Sequence, residues 1–485
     1  MRLGLVCWNL GKISMVLSIA ILLPVFWAVF SHESTVYPLL LTFFFAVVIG
    51  ICLLLIFRKN RNQTLRQREG FALVTFGWLL AAILGTLPYI WSGMIPDFTG
   101  AFFESMSGFT TTGGTVLTDV EIHPQSMMLW RMLTHWLGGM GIVVLVVALS
   151  IHSKGSSNLY NAETPGSSHT ERLTPKISDT STIMWVTYLV LTVLLIILLK
   201  LEGMDIFDSI CHAFATVSTG GFSTQNASIA AYRSPFIQWT IIVFMFLCGA
   251  NISYAYFLVI KRKNYYLHHE DFRVYLGVIL LATMLVTLIL MSFDSYGGAS
   301  AEYYIRQACF QVVSVVTTTG FVSTNYSYWP IFAKIILLVL FFLGGCFGST
   351  AGSIKMSRWI IAVKSSFAQL FSTVHPRAVV YVRLNNRIVP DKSVSSTIHF
   401  ILMYFMVLFI GAVLVCATGY PFFDSLVAAA SAITNVGPSF GTIGAVGNYA
   451  AISGFGKMVL SALMLIGRLE VFTVLVLLIP SVWKK

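Results

Sequence analysis

Phe109-Thr110-Thr111-Thr112-Gly113-Gly114 is the first of four short stretches that share one texture, an apolar run closing on Thr, Ser and Gly. The others read Thr216-Val217-Ser218-Thr219-Gly220-Gly221, Val316-Thr317-Thr318-Thr319-Gly320-Phe321 and Ile433-Thr434-Asn435-Val436-Gly437-Pro438. Taking Gly113, Gly220, Gly320 and Gly437 as equivalent, the spacings are 107, 100 and 117 residues. A period near a hundred is too long for a solenoid and suits tandem units of two helices and a loop. A second mark follows each stretch: Leu137-Gly138-Gly139, Leu247-Cys248-Gly249, Leu343-Gly344-Gly345 and Leu465-Ile466-Gly467, with the last glycine 26, 29, 25 and 30 residues on. Glycine is common in membrane helices, so one mark alone says little; two marks in the same order four times read as duplication.

Working outward, the units are set in a chain of 485 residues that is 57% hydrophobic and 10% charged, with a mean hydropathy of +0.82. No soluble protein of this length could cover itself with so little polar surface. The apolar residues fall in bilayer-length blocks at 14–31, 38–57, 70–91, 127–150, 182–201, 236–260, 273–292, 331–363, 396–417 and 456–479. The expected fold is an all-α membrane protein of about ten spans. Two extra N-terminal helices (1–68) precede four helix–pore-loop–helix repeats in pseudo-fourfold arrangement, at 69–155, 156–262, 263–364 and 365–485. The first apolar run lacks a small-residue cleavage site and reads as a retained helix.

The net charge of +11 is a matter of topology. With a cytoplasmic N-terminus, 22 of the 30 basic residues fall inside, among them Arg58, Lys59, the run Lys261-Arg262-Lys263, and the stretch from Arg358 to Lys392. This is the positive-inside bias, and it puts both termini in the cytoplasm. Acidic residues gather on the other side (Asp97, Glu104, Asp119, Glu121, Glu202, Asp205, Asp208, Asp294, Glu302, Asp424), either as ordinary loop chemistry or as a cation-concentrating vestibule. The seven cysteines are odd in number, lack metal-ligand spacing and read as buried small hydrophobes. The Ser- and Gly-rich segment 152–181 reads as a cytoplasmic loop.

Ahead of each Thr-rich stretch lies a segment too short to cross the bilayer, at 100–109, 207–215, 304–315 and 422–433. These are expected to be re-entrant half-helices whose negative ends favour a cation at membrane depth. The strands that follow are Thr111-Thr112-Gly113, Ser218-Thr219-Gly220, Thr318-Thr319-Gly320 and Asn435-Val436-Gly437. Meeting on one axis, they would stack carbonyl oxygens able to replace the hydration shell of potassium. Irregular backbone survives at that depth only where it lines a watery path, and none of the four carries a carboxylate of a calcium-type filter.

Gly344-Gly345-Cys346-Phe347-Gly348-Ser349-Thr350-Ala351-Gly352-Ser353 puts four glycines in ten residues, which breaks the third inner helix into a loop or a tight kink. Arg468 lies deep in the last apolar segment, where a charge needs a partner or a cavity. Glu470 is close in sequence, but residues two apart on a helix do not face each other. The alternative is donation to loop carbonyls near Gly345–Gly348, with Lys355 adding to a barrier against cations. His135, Asn251 and Tyr254 read as core residues with local hydrogen bonds.

The four strands, the helix glycines and the two added N-terminal helices together resemble the Trk/Ktr/HKT superfamily of potassium transporters, and within it the Trk-type pore subunits, over nearly the whole chain. The resemblance implies potassium selectivity with Gly113, Gly220, Gly320 and Gly437 as key filter glycines, and an intramembrane gate loop comprising Gly344, Gly345, Cys346, Phe347, Gly348 and Ser349 with Lys355 and Arg468. It further implies an inner-membrane location, a homodimer, and a separate TrkA-like peripheral subunit carrying nucleotide-binding domains. No organic cofactor is implied, potassium being the cargo. The fourth strand departs from the Thr-Thr-Gly form. The residues leave open a channel-like pore and a proton- or sodium-coupled transporter; no nucleotide fingerprint, HExxH or Ser/His/Asp arrangement points to an enzyme.

Overall fold

The computed structural model describes residues 1–61, 63, 65–141, 177–252 and 268–483. The expected loop 152–181 falls outside them up to residue 176, as do Tyr254 and the ends of the apolar blocks at 127–150 and 236–260.

Among the described residues the regular structure is helical except for one short hairpin, Arg383–Leu384 paired with Arg387–Ile388. Two antiparallel helices, Leu3–Phe30 and Val36–Ile56, come first. The second presents Phe44, Phe45, Val48, Ile51 and Leu55 outward, an apolar face that only lipid would cover. One element order then recurs four times. Long outer helices run over Gln67–Trp91, Ile177–Leu201, Glu270–Ser292 and Asp391–Cys416. Each leads into a short helix: Phe98–Phe109, Ile206–Val217, Ala301–Val316 or Phe422–Thr434. Extended strands follow, and then inner helices Gln125–Gly139, Pro235–Gly249, Ile331–Leu340 and Gly454–Arg468. Among the described residues, six helices are long and apolar enough to cross a membrane, or seven with the bent pair at the C-terminus counted as one span.

The short helices sit at the centre. Every residue from Gly100 to Phe109 is buried, so this helix is enclosed by protein on all sides. Three of their N-termini are fixed by side-chain caps: Asp97 accepts from the Gly100 N–H at 2.8 Å, Asp205 from Phe207 at 3.1 Å and Ser300 from Tyr303 at 3.3 Å. Two inner helices cross a short helix's C-terminal end at backbone contact. A Cβ on Gly138 would lie 1.8 Å from the Phe109 carbonyl oxygen, and one on Gly467 1.9 Å from that of Ile433. Gly467 thus matches Gly138 rather than Gly139, and in the second unit Cys248 holds that position.

Of the apolar blocks described in full, two do not form single helices. The block 331–363 breaks after Leu340, runs as a loop to Lys355 and resumes as the helix Met356–Val374. The block 456–479, read from sequence as one span, stops at Arg468 and turns by 109° before Phe472. Glu470 (φ 55°) and Val471 (φ 56°) make that turn, with Phe472 N–H donating to the Glu470 carbonyl. A β-branched residue in this region is strained, which is why apolar periodicity alone pointed to a continuous helix.

Candidate functional site

The strands are built alike. After the short helix ends, Thr111, Thr219, Thr318 and Asn435 turn left-handed (φ 52°, 54°, 54° and 57°). The N–H groups of Thr112, Gly220, Thr319 and Val436 return to Ser107, Ala215, Ser314 and Ser431 at 2.8–3.1 Å. Two residues after each left-handed turn comes a glycine at φ 79–90°: Gly113, Gly221, Gly320 and Gly437. These bonds fix the register and correct one expectation. The counterpart of Gly113 in the second unit is Gly221, while Gly220 stands level with Thr112, Thr319 and Val436.

The four strands close a ring. A Cβ on Gly113 would lie 2.2 Å from the Gly220 oxygen; on Gly221, 2.0 Å from Thr319 O; on Gly320, 2.0 Å from Val436 O; on Gly437, 2.2 Å from Thr112 O. Each glycine thus cradles the carbonyl of the next strand, and the fourth returns to the first. Four oxygens from one backbone level are brought together, and any side chain at these glycines would be driven into one.

Hydroxyls and ion pairs hold the strands from behind. Thr110 and Thr112 share a hydrogen bond at 2.8 Å, and Thr317 and Thr319 one at 2.7 Å. The aberrant Asn435 replaces this with bonds of 3.0 Å to Thr112 Oγ1 and to the Met464 carbonyl. Glu104, fully buried, pairs with Arg131 at 2.7 Å and accepts from Thr115 and the Val116 N–H. Arg131 also donates to Ser223 O at 3.3 Å, joining the first unit to the second. Tyr449 donates to Gly437 O at 2.7 Å, and Tyr326 to Ser439 O at 3.0 Å.

On the side of the ring nearer the short helices' C-terminal ends, the loop 341–355 runs directly beneath it. Thr350 Oγ1 lies 3.2 Å from Thr219 Oγ1, and the Gly352 N–H donates to Thr318 Oγ1 at 2.7 Å. The loop is pinned by Cys346 N–H to Gly249 O at 2.9 Å and by Lys355 Nζ to Ala351 O. Arg468 donates to Thr350 O at 2.7 Å and to Gly138 O and Gly139 O at 2.9 and 2.7 Å. Below lies a cavity of about 90 Å³, lined by residues including Trp78, Met140, Phe347, Ser349, Lys355 and Arg468.

The cation transport protein family TrkH matches residues 39–485 of this chain. The chain belongs to that family. The Trk system potassium uptake protein TrkH of Escherichia coli (strain K12) is 38% identical over 448 residues, 92% of each chain. The TrkH of Vibrio parahaemolyticus is 33% identical over 480 residues, 98% of each, and the E. coli Trk system potassium uptake protein TrkG is 32% identical over 477 residues, 96% of each. The fold matches the crystal structure of the potassium transporter TrkH from Vibrio parahaemolyticus with a TM-score of 0.90 at 31% identity, covering all of both chains. It is a membrane transporter and not an enzyme.

Within this TrkH-family fold the strand residues named from sequence come together, with the one-residue shift at Gly220. Gly344, Gly345, Cys346, Gly348, Ser349 and Lys355 lie on or beside the pinned loop, with Phe347 facing the cavity. Arg468 reaches the Thr350 carbonyl of this loop and the Gly138 and Gly139 carbonyls of the first inner helix. Glu470 pairs with Arg358. Most of the expected acidic vestibule is structural: Asp97 and Asp205 are caps, Asp208 binds Thr224 and Tyr232, Glu104 and Glu302 pair with arginines. Asp119 and Glu121 remain at the exposed rim, tied to Asn226. Of the cysteines, Cys211, Cys248 and Cys346 are buried, whereas Cys52 is exposed. The Glu104–Arg131 pair was missed; a Glu and an Arg each set among apolar residues was its signal.

Proposed function

We propose that the chain takes up potassium across the cytoplasmic membrane through one pore. Its filter comprises Thr111, Thr112 and Gly113; Ser218, Thr219, Gly220 and Gly221; Thr318, Thr319 and Gly320; and Asn435, Val436 and Gly437, with the loop at 344–353 as the gate. The observation that carries this reading is the closed ring in which Thr112, Gly220, Thr319 and Val436 carbonyls each nest against the preceding strand's glycine. Oxygens fixed at one level by a rigid backbone suit a bare monovalent cation. The relatives' names, potassium uptake proteins, support potassium as the ion. The loop sealed by Arg468 and Lys355 puts positive charge on the path just below, which opposes a cation while the loop stays closed.

A pore is favoured over proton or sodium coupling because Glu104 and Glu470, the acids at depth, are both engaged by arginines. Both termini are read as cytoplasmic, and the basic segment carrying Arg377, Arg383, Arg387 and Lys392 suits a TrkA-like nucleotide-binding partner on a homodimer of this chain. The test is ion flux in proteoliposomes with potassium, rubidium and sodium compared. Gly113→Ser should lower the potassium-to-sodium ratio, and an unchanged ratio sinks the filter assignment. Unitary currents in single-channel recording support a pore; flux that saturates and follows a proton gradient supports coupling.

A further inference from the structure

The second strand carries Ser218 for Thr110 and Thr317, and it loses a side chain altogether at Gly220, which stands where Thr112 and Thr319 carry buried side chains. The cause lies on another element. His135, fully buried on the first unit's inner helix, presses its ring against Gly220. A Cβ there would meet Nδ1 at 2.3 Å, Cγ at 2.5 Å and Cε1 at 2.8 Å. The ring cannot retreat, since its other neighbour is Phe222, stacked at 4.0 Å and 14°. Phe222 is in turn covered by the Arg131 guanidinium at 3.8 Å, held by Glu104. The eleventh position of the fifteen-residue inner helix is His135 here, but Met245 in the second unit and Met464 in the fourth.

We propose that His135 is a positioning residue of the pore: its imidazole fills the volume that a threonine side chain fills behind the first and third strands, and so sets the Gly220 carbonyl and the ion preference of the ring. This rests on the four strands being the filter. A flat ring wedged between Gly220 and Phe222 fixes the strand sideways, where the first and third strands are fixed by a hydroxyl pair.

Rubidium and sodium uptake are compared in proteoliposomes for Gly220→Thr, His135→Met, the double variant and Gly113→Ser, with each protein's dispersity checked by gel filtration. Gly220→Thr should lose about tenfold or more of uptake, and adding His135→Met should recover most of it, the signature of two residues sharing one volume. His135→Met alone should keep a monodisperse protein while lowering rubidium-to-sodium discrimination severalfold. A double variant that aggregates or transports no better than Gly220→Thr overturns the proposal, as does unchanged discrimination in His135→Met when Gly113→Ser changes it. If Gly113→Ser also leaves discrimination untouched, the filter reading has failed, and the packing claim is judged by the rescue alone.

Discussion

Arg468 Nη2 donates to the carbonyl oxygen of Gly139 at 2.7 Å, across 329 residues of sequence. The same guanidinium holds Thr350 O, so one side chain ties the last inner helix, the first inner helix and the loop under the ring. Position 468 ends a fifteen-residue helix, as Gly139 and Gly249 do in theirs; a Cβ on Gly139 would strike Tyr188 and Ser218, and one on Gly249 Thr317 and Tyr275, so the arginine stands where those two units admit no side chain.

Arg468→Ala should therefore release the loop. A charge-assisted hydrogen bond contributes about 1.5–3 kcal/mol, so losing even one shifts the closed-to-open balance about tenfold or more. Rubidium flux in proteoliposomes should rise while the potassium-to-sodium ratio stays put. Unchanged flux would remove Arg468 from the gate.

Thr350→Val keeps the shape but deletes the hydroxyl that meets Thr219 Oγ1 and the Val217 and Cys248 carbonyls. About 1 kcal/mol per hydrogen bond predicts a severalfold increase in leak. The ion preference should again be constant, because no strand carbonyl moves. A fall in leak would mean that the hydroxyl aids opening.

Glu104→Gln leaves Arg131 charged in a fully buried site. Breaking such a pair costs about 3–5 kcal/mol, whereas replacing both members with apolar residues of like volume is far milder. Thermal unfolding of the detergent-solubilised protein should drop sharply for Glu104→Gln, and much less for Glu104→Leu with Arg131→Met. Equal losses would show that the charges themselves are not what the site needs.

Gly437→Ala sets a methyl 2.2 Å from the Thr112 oxygen and adds the cost of a left-handed residue, about 1–2 kcal/mol. Potassium uptake should fall by at least tenfold with the protein still folded, since one methyl blocks one quadrant. Near-normal uptake would place the ion path elsewhere.

Much of this was legible in the sequence because it obeys local rules. The half-helix at 422–433 appears as Phe422–Thr434, and that at 100–109 as Phe98–Phe109. Glycine density at 344–352 foretold a broken helix, since four glycines in a short span forfeit helix propensity. What escaped was set by partners far along the chain. Gly220 and Gly221 satisfy the same pattern, and the choice between them is made by the register and by His135. The turn at Val471 was hidden because apolar β-branched residues argue for regular structure. The acids of the outer loops were legible as charges but not as caps, which depend on where each helix begins.

The ring of strands closes through a single polypeptide, with Gly437 meeting Thr112 across the seam between last unit and first. Each quadrant can therefore drift on its own: Asn435 and Gly220 are local spellings that alter one wall and spare three. In an assembly of four identical chains the same change would strike every wall at once. Carried on one chain, the ring has sides that can be tuned separately.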